Sequence, residues 1–130
     1  MSLKYVGIRV TDLERSVKFY TEVMGLRVLH QGDLRQYGGG RGLFVHLHDP
    51  ATGGHLELNW YPPGSPYAGP YAPGEALDHI GFEVENVEAE YRRLVALGVP
   101  ATEVTPESTM GFQACVKDPD GNWIELYKKQ

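Results

Sequence analysis

One cysteine, Cys115, among 130 residues has nothing to bridge within the chain, so stability has to come from a packed core. No apolar run approaches the ~18 residues that would cross a bilayer. Met1-Ser2-Leu3-Lys4 leads straight into an alternating pattern, where a secretory leader would have an apolar stretch. These absences predict a cytoplasmic chain that does not enter a membrane. Lys and Arg are scattered, never in a run of five, and the formal net charge is -5, so nothing offers a footprint for phosphate backbones and nucleic acid is not expected as a partner. What is present is an ordinary globular composition, 42% hydrophobic and 22% charged. A chain this long buries roughly two-thirds of the surface its unfolded form exposes, so one domain, 1–130, folds without a structural metal. Any metal it binds is free to serve chemistry.

The chain repeats itself. Tyr5-Val6-Gly7-Ile8-Arg9-Val10 aligns with His79-Ile80-Gly81-Phe82-Glu83-Val84, and the stretch from Asp49 through Glu57 to Leu58 aligns with that from Asp118 through Glu125 to Leu126. Within each half the periodicity changes in the same order. An alternating strand comes first, then a helix: Leu13, Val17, Tyr20 and Met24 share one face in the first, and Val87, Tyr91 and Leu94 in the second. Thr11 with Glu14 predicts a capping box, Asn86 a second cap, and Gly25 and Gly98 the left-handed stops. Three short strands follow each helix: Leu26 to His30, Leu43 to His48 and His55 to Trp60, then Thr102 to Val104, Gly111 to Lys117 and Trp123 to Tyr127. Turn-forming clusters, Gly38 to Gly42 among them, separate them; with no helix after that glycine run, it reads as a hairpin rather than a phosphate cradle. The expectation is an α+β fold of two tandem βαβββ modules, 1–60 and 77–130, forming a curved mixed sheet around a central site. Residues 61–76 hold five of the nine prolines and make a linker or lid.

If equivalent positions meet near a pseudo-two-fold axis, the repeated chemistry-bearing residues matter most. Tyr5 and His79 open the first strands, and Glu57 and Glu125 sit in the last strands between apolar neighbours. Alternation places both glutamates on the face opposite those neighbours, where a carboxylate is costly unless paired or metal-bound. Glu57, His79 and Glu125 would give a divalent cation two carboxylates and an imidazole, a set that suits Zn²⁺, Ni²⁺, Co²⁺, Mn²⁺ or Fe²⁺ and leaves positions for substrate. His46 and His48 have no histidine counterparts in the second half and read as ordinary core or surface residues; His55 is a candidate substrate contact, with packing the plainer reading. Cys115 reads as a small buried residue.

The tandem modules, the string Asp12-Leu13-Glu14-Arg15-Ser16-Val17-Lys18-Phe19-Tyr20, and Lys117-Asp118-Pro119-Asp120-Gly121-Asn122-Trp123-Ile124-Glu125-Leu126 resemble the vicinal-oxygen-chelate superfamily, most of all its glyoxalase I branch. The resemblance implies a metal that chelates two adjacent oxygens of a small-molecule substrate, and a homodimer. It carries the family's second to fourth ligands onto Glu57, His79 and Glu125, and the first, a histidine there, onto Tyr5. It makes Glu125 the proton-transferring base with Glu57 second, and it gives Tyr5 a hydrogen bond to a substrate oxygen or a metal-bound water. Arg9 stands where the family contacts glutathione, and Asn59-Trp60 is similar to its Asn-Trp pair, displaced toward the glutamate. A lysine expected on the loop before the penultimate strand has no match in Glu107 to Phe112. Two other activities in the superfamily stand beside the lyase or isomerase reading. One is a ring-cleaving dioxygenase, whose two-histidine, one-glutamate set is met only by His79 and Glu125. The other is a metal-free drug-binding protein of the bleomycin-resistance type.

Overall fold

The computed structural model describes residues 1–37, 41–102, 110–117 and 122–129. It has the expected α+β class, with seven strands among the described residues in mixed parallel and antiparallel pairing. The chain falls into two compact units, Tyr5–Asp78 and Met1–Lys4 with His79–Gln130.

In the first unit β2 (Arg27–Asp33), β3 (Leu43–His48), β4 (His55–Trp60) and, from Tyr5 on, β1 (Ser2–Arg9) lie in the order β2-β3-β4-β1. β1 runs parallel to β4, whereas β3 is antiparallel to both β2 and β4. The tight turn between β3 and β4 is closed by Asp49, whose carboxylate accepts from Ala51 N and Thr52 Oγ1. Alternation sends Val45, Leu47 and Leu58 to one face, where they form a core with Val10 and receive Leu13, Val17 and Tyr20 from the helical segment. Burying each such side chain contributes about 1.5–3 kcal/mol. That segment is α1 (Leu13–Lys18), continued by a π turn over Phe19–Val23. The predicted cap moves by one residue: Asp12, not Thr11, accepts the Arg15 backbone N–H, and the Thr11 hydroxyl accepts from Arg15 Nη2. An aspartate here offers the stronger acceptor, and its charge suits the helix N-terminus.

The second unit orders β5 (Leu77–Val84, in this unit from His79 on), β7 (Trp123–Lys128) and β6 (Gln113–Lys117) as β5-β7-β6, with β5 parallel to β7 and β6 antiparallel to it. Its core joins Val84, Ala114 and Leu126 to Val87, with Tyr91 and Leu94 from α2 (Val87–Ala96) packed against it. Asn86 caps α2 as predicted, accepting from Ala89 N. Where a strand was expected from Thr102 to Val104, Ala101 makes an isolated bridge to Val116, and residues 103 and 104 lie outside the described residues. So do Gly38 to Gly40 and the Pro119-Asp120-Gly121 turn.

Candidate functional site

The face of each sheet that turns away from its helix carries the chemistry. On the first unit, pairing aligns Gly7 with Glu57 and Glu57 with His46; the adjacent rows hold Tyr5, His55 and His48 on one side and Arg9, Asn59 and Phe44 on the other. Tyr5, His46, Glu57 and Asn59 are all buried. Asn59 Nδ2 donates to Glu57 Oε1 at 2.9 Å, which fixes that carboxylate. Asn59 Oδ1 has no hydrogen-bond donor among the described residues. The His46 ring stands edge-on to Tyr5, with centroids 4.7 Å apart, and His30 and His55 pack around it at 4.9 and 5.5 Å.

Arg9 is held at the end of β1. Its Nε donates to Asp78 Oδ2 at 3.3 Å, the same oxygen that accepts the Tyr61 hydroxyl at 3.0 Å. The guanidinium lies over the rings of Tyr67, 5.3 Å away, and Tyr61, 6.0 Å away. Burial, reinforced by the neighbouring Asp78 charge, pushes the Tyr61 phenol well above its ordinary range, so it serves as a neutral donor. The Pro-rich stretch from Tyr61 to Ala76 is a succession of turns, and Ala76 O accepts the Arg9 backbone N–H. Neither Asp78 nor Tyr61 was anticipated as a partner of Arg9, because a pair separated by 69 residues leaves no local signature. Trp60, one residue past Asn59, points to the other face and packs into the α1 core, which is where alternation sends it.

The second unit repeats the plan. Gly81 aligns with Glu125 and Glu125 with Cys115, and His79 aligns with Trp123. Because Gly81 has no side chain, His79 reaches diagonally to Glu125: Nε2 stands 3.3 Å from Oε2, with both side chains largely buried. That separation bears on metal binding, since two donors each ~2.0–2.1 Å from one ion at a tetrahedral angle stand ~3.4 Å apart. The pair therefore fits a cation by spacing and by donor type. Among the described residues no group of three or more His, Cys, Asp or Glu is gathered as a metal centre. A cavity of about 540 Å³ on the opposite, apolar face is walled by Phe82, Leu94, Val116 and Ile124, and no carboxylate or imidazole among the described residues lines it.

The model of the Glyoxalase/Bleomycin resistance protein/Dioxygenase superfamily matches residues 2–126. The chain belongs to this superfamily. The probable lactoylglutathione lyase of Vibrio parahaemolyticus is 35% identical over 127 residues, 95% of this chain and 87% of that protein. The lactoylglutathione lyase of Haemophilus influenzae is 30% identical over 134 residues, 100% of this chain and 94% of that one. With such relatives along its whole length, the chain is a glyoxalase-like enzyme. Among solved structures, methylmalonyl-CoA epimerase from Mycobacterium tuberculosis shares the fold, at TM-score 0.72 and 20% identity over 98% of this chain and 87% of that one. The Streptomyces coelicolor epimerase, solved with 2-nitronate-propionyl-CoA, superposes at TM-score 0.67 with 25% identity over 99% and 94% of the two chains.

Proposed function

We propose that this protein is a metal-dependent lyase or isomerase of the glyoxalase type, with Glu57, His79 and Glu125 as the donors to a divalent cation (Zn²⁺, Ni²⁺, Co²⁺, Mn²⁺ or Fe²⁺). The observation that supports this most strongly is the His79 and Glu125 pair, 3.3 Å apart on a strand pair that the first module repeats with Tyr5 and Glu57. The substrate is a small molecule with two neighbouring oxygens. When bound, the cation supplies Lewis acidity that loosens a C–H beside a carbonyl. Glu125 removes that proton and returns it to the adjacent carbon, and Glu57, steadied by Asn59, is the second carboxylate. The Tyr5 hydroxyl hydrogen-bonds to a substrate oxygen, and Arg9, preset by Asp78 and Tyr61, receives an anionic group of the substrate. Assembly as a homodimer and a cytoplasmic location belong to the same reading.

Replacing Glu125 with Gln is expected to lower turnover of a methylglyoxal–glutathione adduct by about 10²–10⁴-fold, the usual worth of a positioned acid or base, and to weaken metal retention. Unchanged activity with a full metal complement would remove Glu125 from the mechanism. The epimerase likeness favours one second reading, proton exchange at the carbon beside a thioester carbonyl, because it uses the same acid–base step. Solvent deuterium incorporation into a CoA thioester, with no turnover of the glutathione adduct, would select it.

A further inference from the structure

We propose that His46 is a metal-binding nitrogen donor for this site, supplying the imidazole that the Tyr5 position lacks. The proposal rests on the metal-dependent reading above. A neutral phenol with an ordinary pKa of ~10 is a poor ligand, so the equivalent first-strand positions, Tyr5 and His79, furnish one good nitrogen donor between them. Strand pairing restores the balance. Gly7, Glu57 and His46 form one lateral row of the first unit, and Gly81, Glu125 and Cys115 form the matching row of the second. Each unit thus holds one buried imidazole beside its glutamate: His79 on a first strand, His46 on a third.

Directly paired cross-strand residues hold their Cβ atoms ~4.5–5.5 Å apart, close enough for an imidazole nitrogen and a carboxylate oxygen to reach a common point ~2 Å from each. His46 is also the histidine of this face that is buried, at 8% exposure, together with Glu57, also 8%. His30 is exposed and His48 and His55 are half-buried, and His30 and His55 wedge the His46 ring by edge-to-face packing. His46 touches the ring of Tyr5 itself, so it occupies the neighbourhood from which a first-strand histidine would reach.

Zinc affinity, measured by competition with a chromophoric chelator, tests this without recourse to activity. His46→Gln is expected to weaken binding by more than the ~10–100-fold that loss of a supporting hydrogen-bond partner costs. Adding Tyr5→His to that variant should recover at least tenfold, which a merely misfolded variant would not show. His48→Gln should bind as the parent does. On the unmodified protein, long-range ¹H–¹⁵N spectra should show ring nitrogens of His46 and His79 shifting when Zn²⁺ is added. Parent-like affinity in His46→Gln, or a shift at His79 without one at His46, overturns the proposal and leaves the metal-dependent reading intact. Failure of the parent protein to bind zinc, with no histidine shifted, overturns both.

Discussion

Asn59 shows how one buried amide positions a reactive group. It is 1% exposed and donates to Glu57 at 2.9 Å, so Asn59→Ala should leave a buried carboxylate short of a donor and cost about 1.5–3 kcal/mol. Urea denaturation would show this as a lower midpoint at unchanged slope. Tyr61 gives a pH-dependent counterpart. Its folded-state pKa is raised above the ordinary 10, so below pH ~10 both states keep the proton and the full stability is present. As pH rises beyond that, the unfolded chain releases a proton that the folded one retains, and stability falls. Tyr61→Phe is expected to flatten the decline between pH 10 and 11.5; the same slope in both proteins would mean that the phenol titrates normally. At this scale the sequence was informative where the repeat spoke: Tyr5 and Glu57 in one unit, and His79 and Glu125 in the other, lie on the face of their own sheet opposite its helix-packed core. It was silent on Asp78, which pairs with Arg9 from far along the chain, and alternation alone already set Trp60 apart from Asn59. His46 was legible in principle. The Asp49 to Gly54 turn fixes His48 opposite His55, and moving two residues away from the turn on each strand puts His46 opposite Glu57.

Strands and helices followed their patterns because alternation and the 3.6-residue stripe agree with capping and turn chemistry at nearly every boundary. The exceptions have local causes. At the start of α1 two adjacent residues can cap, and the aspartate takes the backbone bond while the threonine takes a side-chain one. Beyond Lys18 the helix loosens into a π turn, with Met24 N–H reaching Phe19 O, a change invisible to side-chain periodicity. β2 runs on to Asp33, three residues past its expected end, with an irregularity between Val28 and His30. The helix stops are legible for a simple reason: Gly25 and Gly98 have φ of +79° and +84°. A Cβ at Gly98 would meet nothing within 4 Å, so Gly98→Ala isolates the conformational penalty. It should cost about 1–2 kcal/mol, read as a drop in melting temperature of several degrees. No change would mean that the turn relaxes out of the left-handed region.

Across the whole molecule, the internal repeat shows in the pairing of each unit, where a glutamate faces a glycine on a parallel neighbour: Glu57 opposite Gly7 and Glu125 opposite Gly81. The two differ in the residue that opens the first strand, Tyr5 in one and His79 in the other. No helix among the described residues is long and apolar enough to cross a membrane. The proposed chemistry requires that Glu57, His79 and Glu125 together hold a cation. Equilibrium dialysis against Zn²⁺, Ni²⁺ or Co²⁺ followed by elemental analysis tests that most directly. About one tightly held ion per chain is predicted, lost from His79→Gln and from Glu125→Gln; no retained ion in the parent protein, or full retention in both variants, would contradict it.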